Sequence, residues 1–298
     1  MPISWNIFSA VALSICLIAP IAHGMKKDKP KNYRPDGVSK MCVEEAKDPS
    51  NEYGESTYVA TTYIIAHLAG YKELDAYTLG FYSRYPDEDT NFSAKHLEYI
   101  NMLTPWRWDW RDRIKDTLHA LHGGDAEKIA ERQQYIEKVA SKLLAKRKPN
   151  FWHTGIILHA YGDSFMHIEG LSTDTERVAR EGLIGEPHRL FVAEQIAHPE
   201  VFPKYLDYTD HLFQLLNKAN KGKGNTRAYN TFKAQMTALA CKSDDQCDDP
   251  EFEKMDAFMA NMATQFSYDL KIYNCMKDKG RLLYESEMKE ILDTLETE

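Results

Sequence analysis

The run Gly155-Ile-Ile-Leu-His159-Ala-Tyr-Gly-Asp163-Ser-Phe-Met-His167 places a histidine, an aspartate and a second histidine four residues apart in a stretch that is otherwise almost wholly apolar. A helix that is hydrophobic nearly all round is a buried helix. Buried charges require partners, and a metal ion satisfies His, Asp and His on one stripe at once. Residues at i, i+4 and i+8 drift by only about 40° per step and share a face. Along the axis, however, His159 and His167 are ~12 Å apart, whereas imidazole nitrogens bound to one zinc lie ~2 Å from it. The spacing therefore predicts two ions, one on His159 and one on His167, with Asp163 shared between them. Ion pairs about 3.5–4 Å apart are an apparatus of phosphoester hydrolysis. The same pattern also fits a buried polar network without metal.

Around this run the pattern is helical and no alternating strand is evident, so the expected class is all-α, one multi-helix globular domain over residues 53–298. Gly70 reads as the stop of a first helix, and the segment Glu73 to Arg84 as a second, broken by Pro86-Asp-Glu-Asp-Thr. A helix is expected from Asp109 to Leu121, ending at Gly123-Gly124. Asp125 reads as an N-cap and Pro149 as the opening of the motif helix. Further helices are expected over 199–217, 226–241, 250–275 and 281–296.

Residues 7–22 form an apolar block ending in small residues, and residues 1–24 read as a secretory signal peptide; residues 25–52 follow as an N-terminal tail. The expected location is secreted or periplasmic, with no membrane span in the mature chain. Beyond Cys16, four cysteines remain, an even number that in an exported chain points to two disulfides. Of the three pairings, Cys241–Cys247 with Cys42–Cys275 is favoured, the first closing a short polar turn. None of the four has CxxC spacing, which argues against zinc on sulfur. The net charge of −8 and the lack of a basic run disfavour a nucleic-acid partner.

Two metal sites need more ligands than one helix offers. Asp87 and Asp89 stand at the break after the second helix, His119 and His122 lie near a helix end, and His96, His153 and His188 are further candidates. Capping accounts equally for the aspartates, and a helix C-terminus for His119 and His122. Trp106-Arg-Trp-Asp-Trp110 suits a substrate cleft or a lipid head group, although tryptophans anchoring a loop to the core is the simpler expectation. GxSxG, Walker A, GxGxxG and HExxH are all absent.

His159-x3-Asp163 followed by a further histidine resembles the signature helix of the zinc-dependent phospholipase C and single-strand-specific zinc nuclease superfamily. His67-Leu-Ala-Gly-Tyr71 through Asp75 to Asp87 is similar to the early helices of bacterial relatives, where the stretch ends in a metal-binding Asp. Thr117-Leu-His-Ala-Leu-His-Gly-Gly and Gly185-Glu-Pro-His188 are similar to other segments of those proteins. The likeness spans roughly residues 53–215. It implies a secreted all-α phosphoesterase with Zn2+ held by His159, Asp163, His167, Asp87, His188, His119 and His122, and with Asp163 and Asp87 in catalysis. That family spaces its second histidine farther from the aspartate, whereas here the gap is four residues; position 192 is Val, and no mature N-terminal tryptophan exists. Two ions rather than three are therefore expected. The function expected is hydrolysis of a phosphoester, with a lipid-like substrate preferred over nucleic acid. The competing expectation is an exported helical protein that binds a metal or a partner without catalysis.

Overall fold

The computed structural model describes residues 39–42, 57–94, 96–97, 104–170, 176–180, 195–243, 247, 249–280 and 283–296, all inside the unit Arg34–Glu298. The expected signal peptide, the tail apart from 39–42, and His188 lie outside the described residues. The helices are α1 (Thr57–Leu68), α2 (Glu73–Glu88), α3 (Trp108–Arg113), α4 (Ala126–Leu144), α5 (Phe151–Met166), α6 (Phe202–Ala219), α7 (Thr226–Leu239), α8 (Asp249–Gln265), α9 (Leu270–Gly280) and α10 (Glu285–Glu296). A 3-10 turn, Pro105–Arg107, precedes α3, and a π-helical turn, Ile114–Leu118, follows it. The helical class expected of the sequence is what forms, with one addition. Strands β1 (Ile168–Glu169) and β2 (Val178–Ala179) pair antiparallel just after α5.

The motif helix α5 is the centre. Every residue from Thr154 to Met166 is buried, as an all-apolar helix requires. It begins at Phe151 rather than at Pro149, because the Asn150 side chain caps it by accepting from the His153 amide at 3.3 Å. Helix α2 lies against it with α1 behind, while α4 and α6 flank it. Gly155 makes the α2–α5 approach possible: a Cβ there would stand 2.7 Å from Tyr82 Cβ and 2.9 Å from the Leu79 carbonyl oxygen. Gly155→Ala is expected to destabilise the fold by about 1–3 kcal/mol, read as a lower urea midpoint with unchanged slope.

Several helix boundaries differ from the expectation, each for a tertiary reason. Helix α2 runs through Pro86 to Glu88. Its last turn is held by Arg84 paired with Asp87 (3.1 Å) and Glu88 (3.8 Å), and by the Tyr85 hydroxyl donating to Asp89 Oδ2 at 2.6 Å. Asp87 therefore sits on a helix, not in a turn. The helix expected over 250–275 is divided into α8 and α9 at Phe266–Asp269, where Ser267 has φ 66°. No Gly or Pro marks that turn; the Tyr63 hydroxyl donates to the Phe266 carbonyl (2.5 Å) and the Tyr77 hydroxyl to the Ser267 carbonyl (3.0 Å).

The helix expected to reach Leu121 instead ends in the π turn, followed by Ala120 in the left-handed region at φ 51°. Asp125 caps α4 as expected, accepting from the Lys128 amide at 3.0 Å. The favoured disulfides, Cys42–Cys275 and Cys241–Cys247, are both formed, as an oxidising compartment permits. Among the described residues no helix is long and apolar enough to cross a membrane.

Candidate metal centre

Four side chains from three elements converge on one point: Asp87 from the end of α2, His119 from just beyond the π turn, and His159 and Asp163 from α5. The π turn explains the inward aim of His119. The His119 amide reaches back to the Ile114 carbonyl at 3.1 Å, one residue beyond the α-helical partner. Such turns concentrate at functional sites. Arg132 fastens this one by donating to the Thr117 carbonyl (2.6 Å) and to the Leu295 carbonyl of α10 (2.6 Å), while Glu296 accepts from the Thr117 hydroxyl at 3.1 Å.

The two imidazoles are oriented by backbone carbonyls. His119 Nε2–H donates to the Phe92 carbonyl at 2.9 Å, and His159 Nδ1–H donates to the Ser83 carbonyl at 2.9 Å. In the neutral rings the remaining nitrogens, His119 Nδ1 and His159 Nε2, carry lone pairs, and they face one another at 3.1 Å. Two lone pairs at that distance repel unless a proton or a metal ion lies between them. Asp163 Oδ2 closes a triangle with them, 3.1 Å from His119 Nδ1 and 3.3 Å from His159 Nε2.

An ion about 2.0–2.2 Å from each donor of a tetrahedron keeps those donors about 3.3–3.6 Å apart. The triangle is close to that size. Asp87 Oδ1 lies on the same nitrogen pair at 3.8 and 4.0 Å, and its set with His119 and His159 falls within 4.8 Å throughout. These residues can hold a metal ion. Ring nitrogens fixed by outer hydrogen bonds are the usual arrangement of metal-ligating histidines.

Burial of the four side chains is uneven. The side chains of His159, His119 and Asp163 are 0%, 2% and 5% exposed, whereas that of Asp87 is 31% exposed. Of these four side chains, Asp87 is the one that solvent reaches. Arg84 Nη1 donates to Asp87 Oδ2 at 3.1 Å, leaving Oδ1 turned toward the imidazoles. Arg84 was not a sequence candidate; its only signal is a position three residues before an acid on a helix. Removing outer-shell partners of this kind weakens metal binding about 10–100-fold. Arg84→Met is expected to weaken metal binding within that range, measured by chelator competition.

In the metal-free protein the cage attracts a proton. Burial opposes charging His159, but Asp163 and Asp87 outweigh it and raise its pKa to about 9. Burial likewise pushes Asp163 up, yet the charges of His159 and His167 and hydrogen bonds from His119 and His159 hold it well below the usual carboxylate range.

The remaining candidates fall elsewhere. His167 caps α5, and its Nδ1–H donates to the His119 carbonyl at 2.7 Å; it lies 3.7 Å from Asp163 Oδ2. That nitrogen supports the segment carrying His119 and is not offered to an ion. Among the described residues no second ligand set assembles around His167, so the geometry gathers one cage at the near end of the stripe. His122 accepts from the Gly124 amide at 3.2 Å and has its pKa lowered by burial, then by Arg132 and Lys128. Both Asp89 oxygens are engaged, one by Tyr85 and one by the Asn91 amide and side chain. His96 meets Ser93 at 3.4 Å, and His153, lowered to about 4 by burial and then Lys146, packs on Trp152. No family model, curated protein or solved structure matches the chain.

Proposed function

We propose that the chain is an exported zinc-dependent phosphoester hydrolase, its ion held by His119, His159, Asp163 and Asp87. The observation that carries the reading is the pair of oriented imidazole nitrogens 3.1 Å apart, bracketed by two carboxylates and open to solvent on the Asp87 side. A mixed imidazole and carboxylate donor set suits zinc. When bound, such an ion polarises a phosphoryl oxygen and acidifies water. The protein's own part is to hold two lone pairs at fixed tautomers, to supply two negative charges against a dication, and to keep Asp163 buried while Asp87 meets the incoming substrate. The resemblance of the α5 stripe and of the stretch ending at Asp87 to zinc phospholipases C and nucleases supports the choice of phosphoesters. A second ion near His167, sharing Asp163, belongs to the same proposal and is decided by stoichiometry.

Purified protein is expected to contain at least one equivalent of zinc and to hydrolyse a chromogenic phosphodiester. Asp163→Asn is expected to fold, lose the ion and lose turnover. Less than one equivalent of any transition metal would sink the proposal. Full metal loading with no turnover across phosphomonoesters, phosphodiesters and phospholipids would leave the non-catalytic metal-binding reading in its place.

A further inference from the structure

Trp106 is 79% exposed and Trp108 is 47% exposed, the largest apolar side chains left in solvent among the described residues. They do not anchor their segment to the core, as the simpler expectation had it; that task falls to Trp110, whose ring meets Phe92 at 6.4 Å. The pair stands on the 3-10 turn opened by Pro105 and on the first residue of α3.

Arginines alternate with these rings, each paired with a carboxylate: Arg107 with Glu285, Arg111 with Asp112, and Arg113 with Asp293 and Glu296. Arg111 also lies over the Trp108 ring at 5.7 Å. The patch is thus aromatic, with each arginine matched by a carboxylate and Asp109 adding one further negative charge.

Two observations select its occupant. The first is area. Two partly exposed indoles offer on the order of 300 Å², well short of the roughly 800 Å² per partner of a stable protein interface. A lipid surface requires no matching area, because each indole inserts independently at head-group depth, where tryptophan is enriched. The second is charge. Guanidinium–carboxylate pairs beside the rings match a zwitterionic head group better than a strongly anionic surface, which an unpaired basic cluster would favour.

We infer that Trp106 and Trp108 dock the protein onto a zwitterionic lipid bilayer. The segment that carries them continues through α3 and the π turn to His119. The inference goes beyond the hydrolase reading and does not require it, since docking needs no ion.

The test uses the full chain and phosphatidylcholine vesicles, with and without chelator. The Trp106→Ala/Trp108→Ala variant should retain its circular dichroism and metal content and bind vesicles at least tenfold more weakly, with Trp106→Ala alone intermediate. The apolar block at residues 7–22 can itself bind lipid, so a second measurement reads the patch directly. The emission contributed by the two tryptophans, obtained as the difference between unmodified chain and double variant, should be quenched by brominated phosphatidylcholine. Difference emission that stays unquenched in the vesicle-bound chain would overturn the inference, as would unchanged vesicle affinity in the double variant. Docking of the zinc-loaded chain with no turnover on any phosphoester would retain this inference and remove the hydrolase reading alone.

Discussion

His119→Ala is expected to abolish stabilisation by zinc, the ion proposed for the centre, and the expected effect is large. If the unmodified protein binds zinc as proposed, a hundredfold excess over the dissociation constant should stabilise the fold by about 2.7 kcal/mol. For a domain of this size that corresponds to a rise in Tm of roughly 5–10 °C. The variant removes one of the two facing nitrogens, leaving Asp87 and Asp163 without a common imidazole pair. Its Tm should not respond to zinc, while in chelator it should still unfold cooperatively. His122→Ala, three residues on, serves as the contrast: its Nδ1 meets only the Gly124 amide among the hydrogen bonds described, and the zinc response should survive. Differential scanning fluorimetry with and without chelator separates the two. A zinc response in His119→Ala equal to that of the unmodified chain would show that the ion binds elsewhere.

The second large effect is on pH dependence. In the metal-free protein the His159 pKa is raised to about 9 from an ordinary value near 6.5. The folded state therefore holds its proton more tightly than the unfolded state does. The resulting stabilisation is complete below pH 6.5 and is lost as pH rises through 9; it is on the order of 3 kcal/mol. Asp163 acts at the other end. Its depressed pKa contributes stability above the ordinary carboxylate range that is lost on acidification. The metal-free domain should be most stable between about pH 4 and pH 6.5. The proposed zinc ion would take the place of this proton, so saturating zinc should flatten the alkaline limb and release a proton on binding below pH 9. Urea titrations at pH 6.5 and 9, with zinc or chelator, read this directly; equal midpoints in chelator at the two pH values would refute it.

What the sequence made legible is the part of the centre that is local. His159 and Asp163 share one turn of one helix, and the apolar residues around them require burial, so their meeting is visible in the spacing. Axial arithmetic also separates His159 from His167 on one ion, and the structure keeps His167 off the cage, tied to the His119 carbonyl. The remainder depends on distant groups. His119 points inward because Arg132 and Glu296 secure a π turn that no sequence period announces. Asp87 looked like part of a turn because Pro86 normally ends a helix, and the ion pairs of Arg84 with Asp87 and Glu88 reverse that expectation. Ser83 and Phe92 contribute only carbonyl oxygens, for which a sequence has no letter.

A π turn is an α-helix that accommodates one residue too many. Deleting a single codon between Ile114 and Leu118 would let the segment relax to a regular helix, and His119 would swing by about 100° relative to the residues before the deletion. All four ligand codons would remain in the gene, yet the imidazole would no longer face His159. The inheritance of this centre thus rests on the length of a short segment as much as on the identity of its ligands, and a comparison of kindred genes that scored only the His and Asp columns would overlook its loss.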